Sequence, residues 1–167
     1  PGHKCEALHG HNYRVGVTVE GPLDAEALFV IDFAVLKDVL KPMVDAIDHR
    51  VLLPTSNSKV QVAEAEGFVD VTYFDRPRFR FPRSDCALLP VQNTTAELLA
   101  AYFADAVWAR LREGGFGRLS LIEVEVEESE GLLLREGAAA RGVHRRDAGQ
   151  EGELLVGRRR SEHAQDA

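Results

Sequence analysis

Between Glu20 and Asp32 the spacing of apolar residues changes from two to three and four, so this chain can be neither all helix nor all strand. Before that point His9, His11, Tyr13, Val15, Val17 and Val19 fall on one side of an extended chain. Arg14, Gly16, Thr18 and Glu20 fall on the other. Period two with β-branched residues predicts a half-buried strand over 9–20, broken by Gly21-Pro22. After it, Phe33, Leu36, Leu40, Val44 and Ile47 form the apolar stripe of a helix with Asp32 as its N-cap. Pro42 should kink that helix or end its regular part.

The mixture continues. Val60 and Val62, then Val69, Val71 and Tyr73, then Phe79 and Phe81 alternate around Glu66-Gly67 and Asp75-Arg76-Pro77. That pattern predicts a β-hairpin with a short third strand within 57–89. Thr94-Thr95-Ala96-Glu97 has capping-box spacing ahead of a second helix, whose stripe is Leu99, Tyr102, Phe103, Ala106 and Val107. Gly114-Gly115 should stop it. Ile122, Val124 and Val126 alternate with Glu123, Glu125 and Glu127 in a last strand. From Arg141 to Ala167 Arg, Glu, Gly, Ala and Gln dominate, apart from Leu154-Leu155-Val156. A disordered tail over 138–167 is expected behind a single domain at 1–137. The expected class is α+β, with mostly neighbouring antiparallel pairings.

Twenty Lys and Arg against 27 Asp and Glu leave the 167 residues at −7, which argues against nucleic acid or an anionic membrane as partner. No apolar run approaches the ~20 residues that cross a bilayer, and no charged-then-apolar leader opens the chain. A cytoplasmic setting is therefore expected. Two cysteines, Cys5 and Cys86, suit a reduced compartment better than a disulfide framework. The one methionine is Met43 and the sequence opens at Pro1, so a processed or partial chain is expected.

The densest chemical signal is Cys5-Glu6-Ala7-Leu8-His9-Gly10-His11-Asn12-Tyr13. Histidines at i and i+2 of a strand point the same way, so their imidazoles can converge on one ion, and zinc accepts neutral imidazole nitrogens. His-x-His equally describes two polar residues at the exposed start of a strand. A cysteine four residues earlier adds weight to the metal reading, because a nearby cation favours the reactive thiolate. Asp48-His49 follows the first helix and alone reads as a helix ending, where a cationic histidine suits the dipole. Beside Cys5, a histidine oriented by a carboxylate is also what acid–base catalysis needs. Glu128 continues the Ile122-Val124-Val126 face, so desolvation should raise its proton affinity unless it is paired, and it could grip a ligand's N–H groups. An alternation that simply ends there is the competing reading. Glu97 can equally serve only its own helix.

Together these residues resemble the 6-pyruvoyl-tetrahydropterin synthase/6-carboxytetrahydropterin synthase family. The matching pieces, in order, begin with Cys5-x3-His9-Gly10-His11-Asn12-Tyr13 and Ile31-Asp32-Phe33-x2-Leu36-Lys37. Ile47-Asp48-His49-x2-Leu52, Asn93-Thr94-Thr95-Ala96-Glu97 and Glu128-Ser129 complete them. They span about residues 3–131, interrupted by 57–89, which compact members lack. The resemblance implies a tunnelling fold, a four-stranded antiparallel sheet with two helices, closing into a barrel in a homo-oligomer, usually a hexamer, with substrate between subunits. It implies zinc on His9 and His11, Cys5 as catalytic base, and Asp48 with His49 as a proton relay. Glu128 would anchor the pterin ring, and Thr95 and Glu97 would line its pocket. The substrate implied is 7,8-dihydroneopterin triphosphate. The three-residue spacer between Cys5 and His9 resembles the bacterial 6-carboxytetrahydropterin type of 7-deazaguanine (queuosine-type) biosynthesis. A 6-pyruvoyl product, or a non-catalytic pterin-binding assembly subunit, is the alternative. Three departures accompany the match: the family's third zinc histidine falls on a strand upstream of this sequence, Leu98 stands where many members carry Asn, and Gly131-Leu132-Leu133-Leu134 replaces a polar continuation.

Overall fold

A computed structural model describes residues 7–128 of the chain. Cys5 and the 138–167 tail lie outside the described residues.

The first and last strands meet. β1 (Tyr13–Glu20) pairs antiparallel with β7 (Leu121–Glu128), with Tyr13 opposite Glu128, Val15 opposite Val126, Val17 opposite Val124 and Val19 opposite Ile122. The two period-two patterns thus stack their valines on one face, while Arg14, Thr18, Glu125 and Glu127 occupy the other. The strand predicted from residue 9 begins at Tyr13 and ends where expected. The residue that follows it is held close: a Cβ on Gly21 would come within 3.3 Å of the Leu119 backbone and within 3.1 Å of its side chain.

Both predicted helices form. α1 (Phe33–Asp45) starts at Asp32, whose carboxylate accepts from the Ala34 N–H at 2.8 Å. It runs through Pro42 for another three residues, so the proline does not end it. Its inward residues are Leu36 and Met43; Phe33, assigned to the stripe from spacing, is 78% exposed in the first turn. α2 (Ala96–Glu113) buries Leu99, Phe103, Val107 and Leu111 and ends at Gly114, with Gly115 at φ +89°. Its N-cap is Thr95, one residue later than capping-box spacing suggests, which places Glu97 second in the helix. These residues, with Ile122, Val124 and Val126, form the main core between α1, α2 and the β1–β7 face.

A smaller second core lies in the middle of the chain. β3 (Val60–Ala65), β4 (Phe68–Tyr73) and β5 (Arg76–Pro82) form an antiparallel meander, so the predicted short third strand is seven residues long. Two four-residue strands flank it that spacing did not reveal, β2 (Val51–Pro54) and β6 (Cys86–Leu89), paired in parallel. Leu53, Val69, Val71 and Cys86 are buried together between these sheets. The α+β class and the two helices agree with expectation, but two details do not. Among the described residues strands occur as separate sheets of two, two and three, and no four-stranded sheet forms. Neighbouring antiparallel pairing holds only inside the meander, because β1–β7 and β2–β6 join distant segments.

Candidate active site

The start of β1 and the end of β7 bring four of the chemically interesting side chains together. His9 and His11 precede β1 but keep its alternation, and their rings meet edge to face with centroids 4.6 Å apart. The His11 and Tyr13 rings lie 5.7 Å apart. Across the strand pair, the Tyr13 hydroxyl donates to Glu128 Oε1 at 3.3 Å, and Glu128 Oε2 sits 3.9 Å from His11 Nδ1. Burial and the facing carboxylate together push the Tyr13 phenol up to about 12. Glu128 does not have the desolvated setting expected of it. Its side chain is 39% exposed, and it accepts a hydrogen bond from Tyr13.

The histidine pair suits zinc in its donor chemistry. With its proton on Nδ1, His9 donates to the Ala7 carbonyl at 2.6 Å, leaving the Nε2 lone pair free for an ion. His11 turns the same Nδ1 edge toward Glu128. A catalytic zinc takes three protein ligands, and among the described residues no third His, Cys, Asp or Glu completes a metal-holding group.

The other described candidates sit after the end of α1 and at the start of α2. Asp48 and His49 follow α1, with Asp48 Oδ1 2.9 Å from His49 Nδ1, and the His49 side chain is 93% exposed. His49 takes a left-handed backbone, φ 54°, which turns the chain sharply before β2. Among the described residues no hydrogen bond, ion pair or ring contact links this pair to His9, His11 or Glu128. Thr95 is half-buried and Glu97 exposed at the start of α2. The Glu97 carboxylate is held below its usual range by its own backbone N–H and then by the Thr95 hydroxyl, so in this subunit it serves the helix end. Cys5 lies outside the described residues. Tyr13 is the residue that spacing alone did not single out; its signal was present, because it is the next same-side position after His9 and His11.

The family model described as 6-pyruvoyl tetrahydropterin synthase matches residues 1–135. The chain belongs to that family, and it is a lyase of the tetrahydropterin synthase type. A Methanocaldococcus jannaschii protein provisionally named a 6-carboxy-5,6,7,8-tetrahydropterin synthase is 35% identical over 127 residues, covering 76% of this chain and 77% of that one. The Aquifex aeolicus 6-carboxy-5,6,7,8-tetrahydropterin synthase is 31% identical over 134 residues, 77% of this chain and 73% of its own. Among solved structures, the Plasmodium vivax 6-pyruvoyl tetrahydropterin synthase superposes with a TM-score of 0.69 at 26% identity, over 75% of this chain and 78% of that one. The fold is the tunnelling fold of these enzymes. No helix among the described residues is long and apolar enough to cross a membrane.

Proposed function

We propose that this chain is a zinc-dependent 6-carboxy-5,6,7,8-tetrahydropterin synthase. It would convert 7,8-dihydroneopterin triphosphate and water to 6-carboxytetrahydropterin, acetaldehyde and triphosphate, on a route to 7-deazaguanine (queuosine-type) nucleosides in the cytoplasm. The supporting observation is the meeting of His9, His11, Tyr13 and Glu128 at one end of the β1–β7 pair, in a chain whose relatives carry that name.

Each residue has a task its chemistry can perform. Glu128 accepts hydrogen bonds from the pterin's N–H groups, a charge-assisted contact that fixes the ring, and Tyr13 holds one carboxylate oxygen for that purpose. The Cys5 thiolate removes a proton from the substrate side chain, and His49, oriented by Asp48, handles protons on the opposite side. Thr95 and Glu97 line the pterin pocket. His9 and His11 would hold the zinc, which when bound supplies Lewis-acid polarisation of the side-chain hydroxyls. Among the described residues no hydrogen bond, ion pair or ring contact joins Asp48 and His49 to the Glu128 cluster, which supports a site completed between copies of the chain, in a homo-oligomer such as a hexamer. Replacing Cys5 by Ala should abolish turnover while leaving the fold and pterin binding nearly unchanged. Near-normal turnover in that variant would remove Cys5 from the mechanism.

A second reading has its own support. The family model and the Plasmodium structures carry the 6-pyruvoyl name, and that branch rearranges the side chain without releasing acetaldehyde. Acetaldehyde in the reaction mixture separates the two.

A further inference from the structure

A cavity of about 430 Å³ lies outside that cluster, between the C-terminal end of α1, β6 and α2. One side is apolar, with Met43, Ile47 and Tyr102 among its residues. Among the described residues its charged lining is Arg50, Arg83 and Arg110, with no Asp or Glu, in a chain where acids outnumber bases 27 to 20. Two of these guanidiniums are fixed. Arg50 donates through Nη1 to the Ser84 carbonyl. Arg83 donates through Nη1 to the Cys86 carbonyl at 3.1 Å and through Nε to Glu64. A guanidinium has five N–H donors, so these anchors leave at least three on each. Arg110, in the last turn of α2, makes no side-chain hydrogen bond or ion pair among the described residues.

Opposing charges are modest. Glu64 offsets Arg83, and Asp85 accepts from the Ser84 hydroxyl at 2.8 Å. The carbonyl ends of α1 and α2 each carry only about half a negative charge, against a full positive charge on both Arg50 and Arg110. Forked guanidiniums beside an aromatic and aliphatic wall match an oligophosphate joined to a planar or apolar body.

We propose that this cavity is a binding site for such an oligophosphate ligand, its phosphates on Arg50, Arg83 and Arg110 and its body against Tyr102 and Met43. Two sources share that chemistry: the triphosphate arm of the enzyme's own substrate, or a separate nucleotide. Calorimetric titration of the full chain with inorganic triphosphate, and separately with ATP, tests the site without requiring turnover, so its failure and that of the proposed function are separable. Arg110→Ala loses no side-chain partner among the described residues, and Arg50→Ala is the second variant. Arg78→Ala, on the outer face of β5 and outside the cavity lining, is the control. Triphosphate affinity should fall on the order of tenfold in each cavity variant and stay unchanged in the control. Equal affinity in all the proteins, or no binding to the unaltered chain at about millimolar triphosphate, overturns the proposal. A parallel rise in KM for the pterin triphosphate supports the site with the substrate arm as its ligand. Lost ATP binding at constant KM supports it with a separate nucleotide.

Discussion

A phenol and a carboxylate face each other across the outermost pair of the β1–β7 ladder, and this contact reports on the candidate site directly. The Tyr13 phenol is raised from 10.0 to about 12, first by burial and then by Glu128 as a nearby charge and hydrogen-bond acceptor. The folded state therefore favours the protonated phenol. That contribution to stability is fully present below pH 10 and is lost as the pH rises through about 12. In an ultraviolet titration of the three tyrosines, one should ionise late, and Glu128→Gln should bring it earlier without returning it to 10, because burial remains. An unchanged curve in Glu128→Gln would mean the two groups do not meet. The common side of His9 and His11 is legible in the sequence, because period two continues upstream of the strand. The exposure of Glu128 is not. Alternation tells which face a residue takes, but not how much of that face its neighbours cover.

At the scale of elements, the two turns of the meander differ in how well their residues suit them. Glu66 and Gly67 both have positive φ, and so do Phe74 and Asp75, the pattern of tight type I′ hairpin turns. Gly67 meets that requirement without cost, whereas an L-residue in the left-handed region pays roughly 1–2 kcal/mol. Asp75→Gly should therefore raise stability by about 0.5–1 kcal/mol, or roughly 1–4 °C in melting temperature, after the entropy lost with glycine. Gly67→Ala should lower it by about 1 kcal/mol. Thermal denaturation of both variants checks the pair, and a shift of the same sign in each would contradict the turn geometry. Helix starts were partly readable. Asp32 caps α1 as its position suggests, but Thr94-x-x-Glu97 spacing could not reveal that Thr95 is the N-cap. Four-residue strands such as β2 and β6 carry too little alternation to be recognised, and their parallel pairing depends on a partner more than thirty residues away.

Across the whole molecule, one ionic clip joins the segment before α1 to the segment before β7. Asp24 accepts from the Glu26 and Ala27 backbone N–H groups at 3.0 Å and from Arg118 at 3.2 Å, while Arg118 also donates to the Val30 carbonyl. Those hydrogen bonds hold the Asp24 carboxyl below its ordinary 3.8, the two backbone N–H groups contributing most. A lowered folded pKa stabilises the fold above 3.8 and loses that contribution as the pH falls through the folded value. Urea unfolding of the parent and of Asp24→Asn should differ most above that pH and converge in acid. A gap that widens in acid would contradict the sign. Two cores are linked in this chain, and the larger was the more legible because its helices and strands carry strong periods. What spacing could not supply was which candidate side chains touch: His11 and Tyr13 meet Glu128 through a strand pairing between distant segments, which one strand's own alternation does not reveal.

The central claim is that this chain turns over a pterin triphosphate, and the most direct measurement is the mass spectrum of products after incubating zinc-supplemented protein with 7,8-dihydroneopterin triphosphate. The account predicts the mass of 6-carboxytetrahydropterin, with acetaldehyde and triphosphate released in equal amounts. Intact substrate after prolonged incubation with folded, zinc-supplemented protein would contradict it.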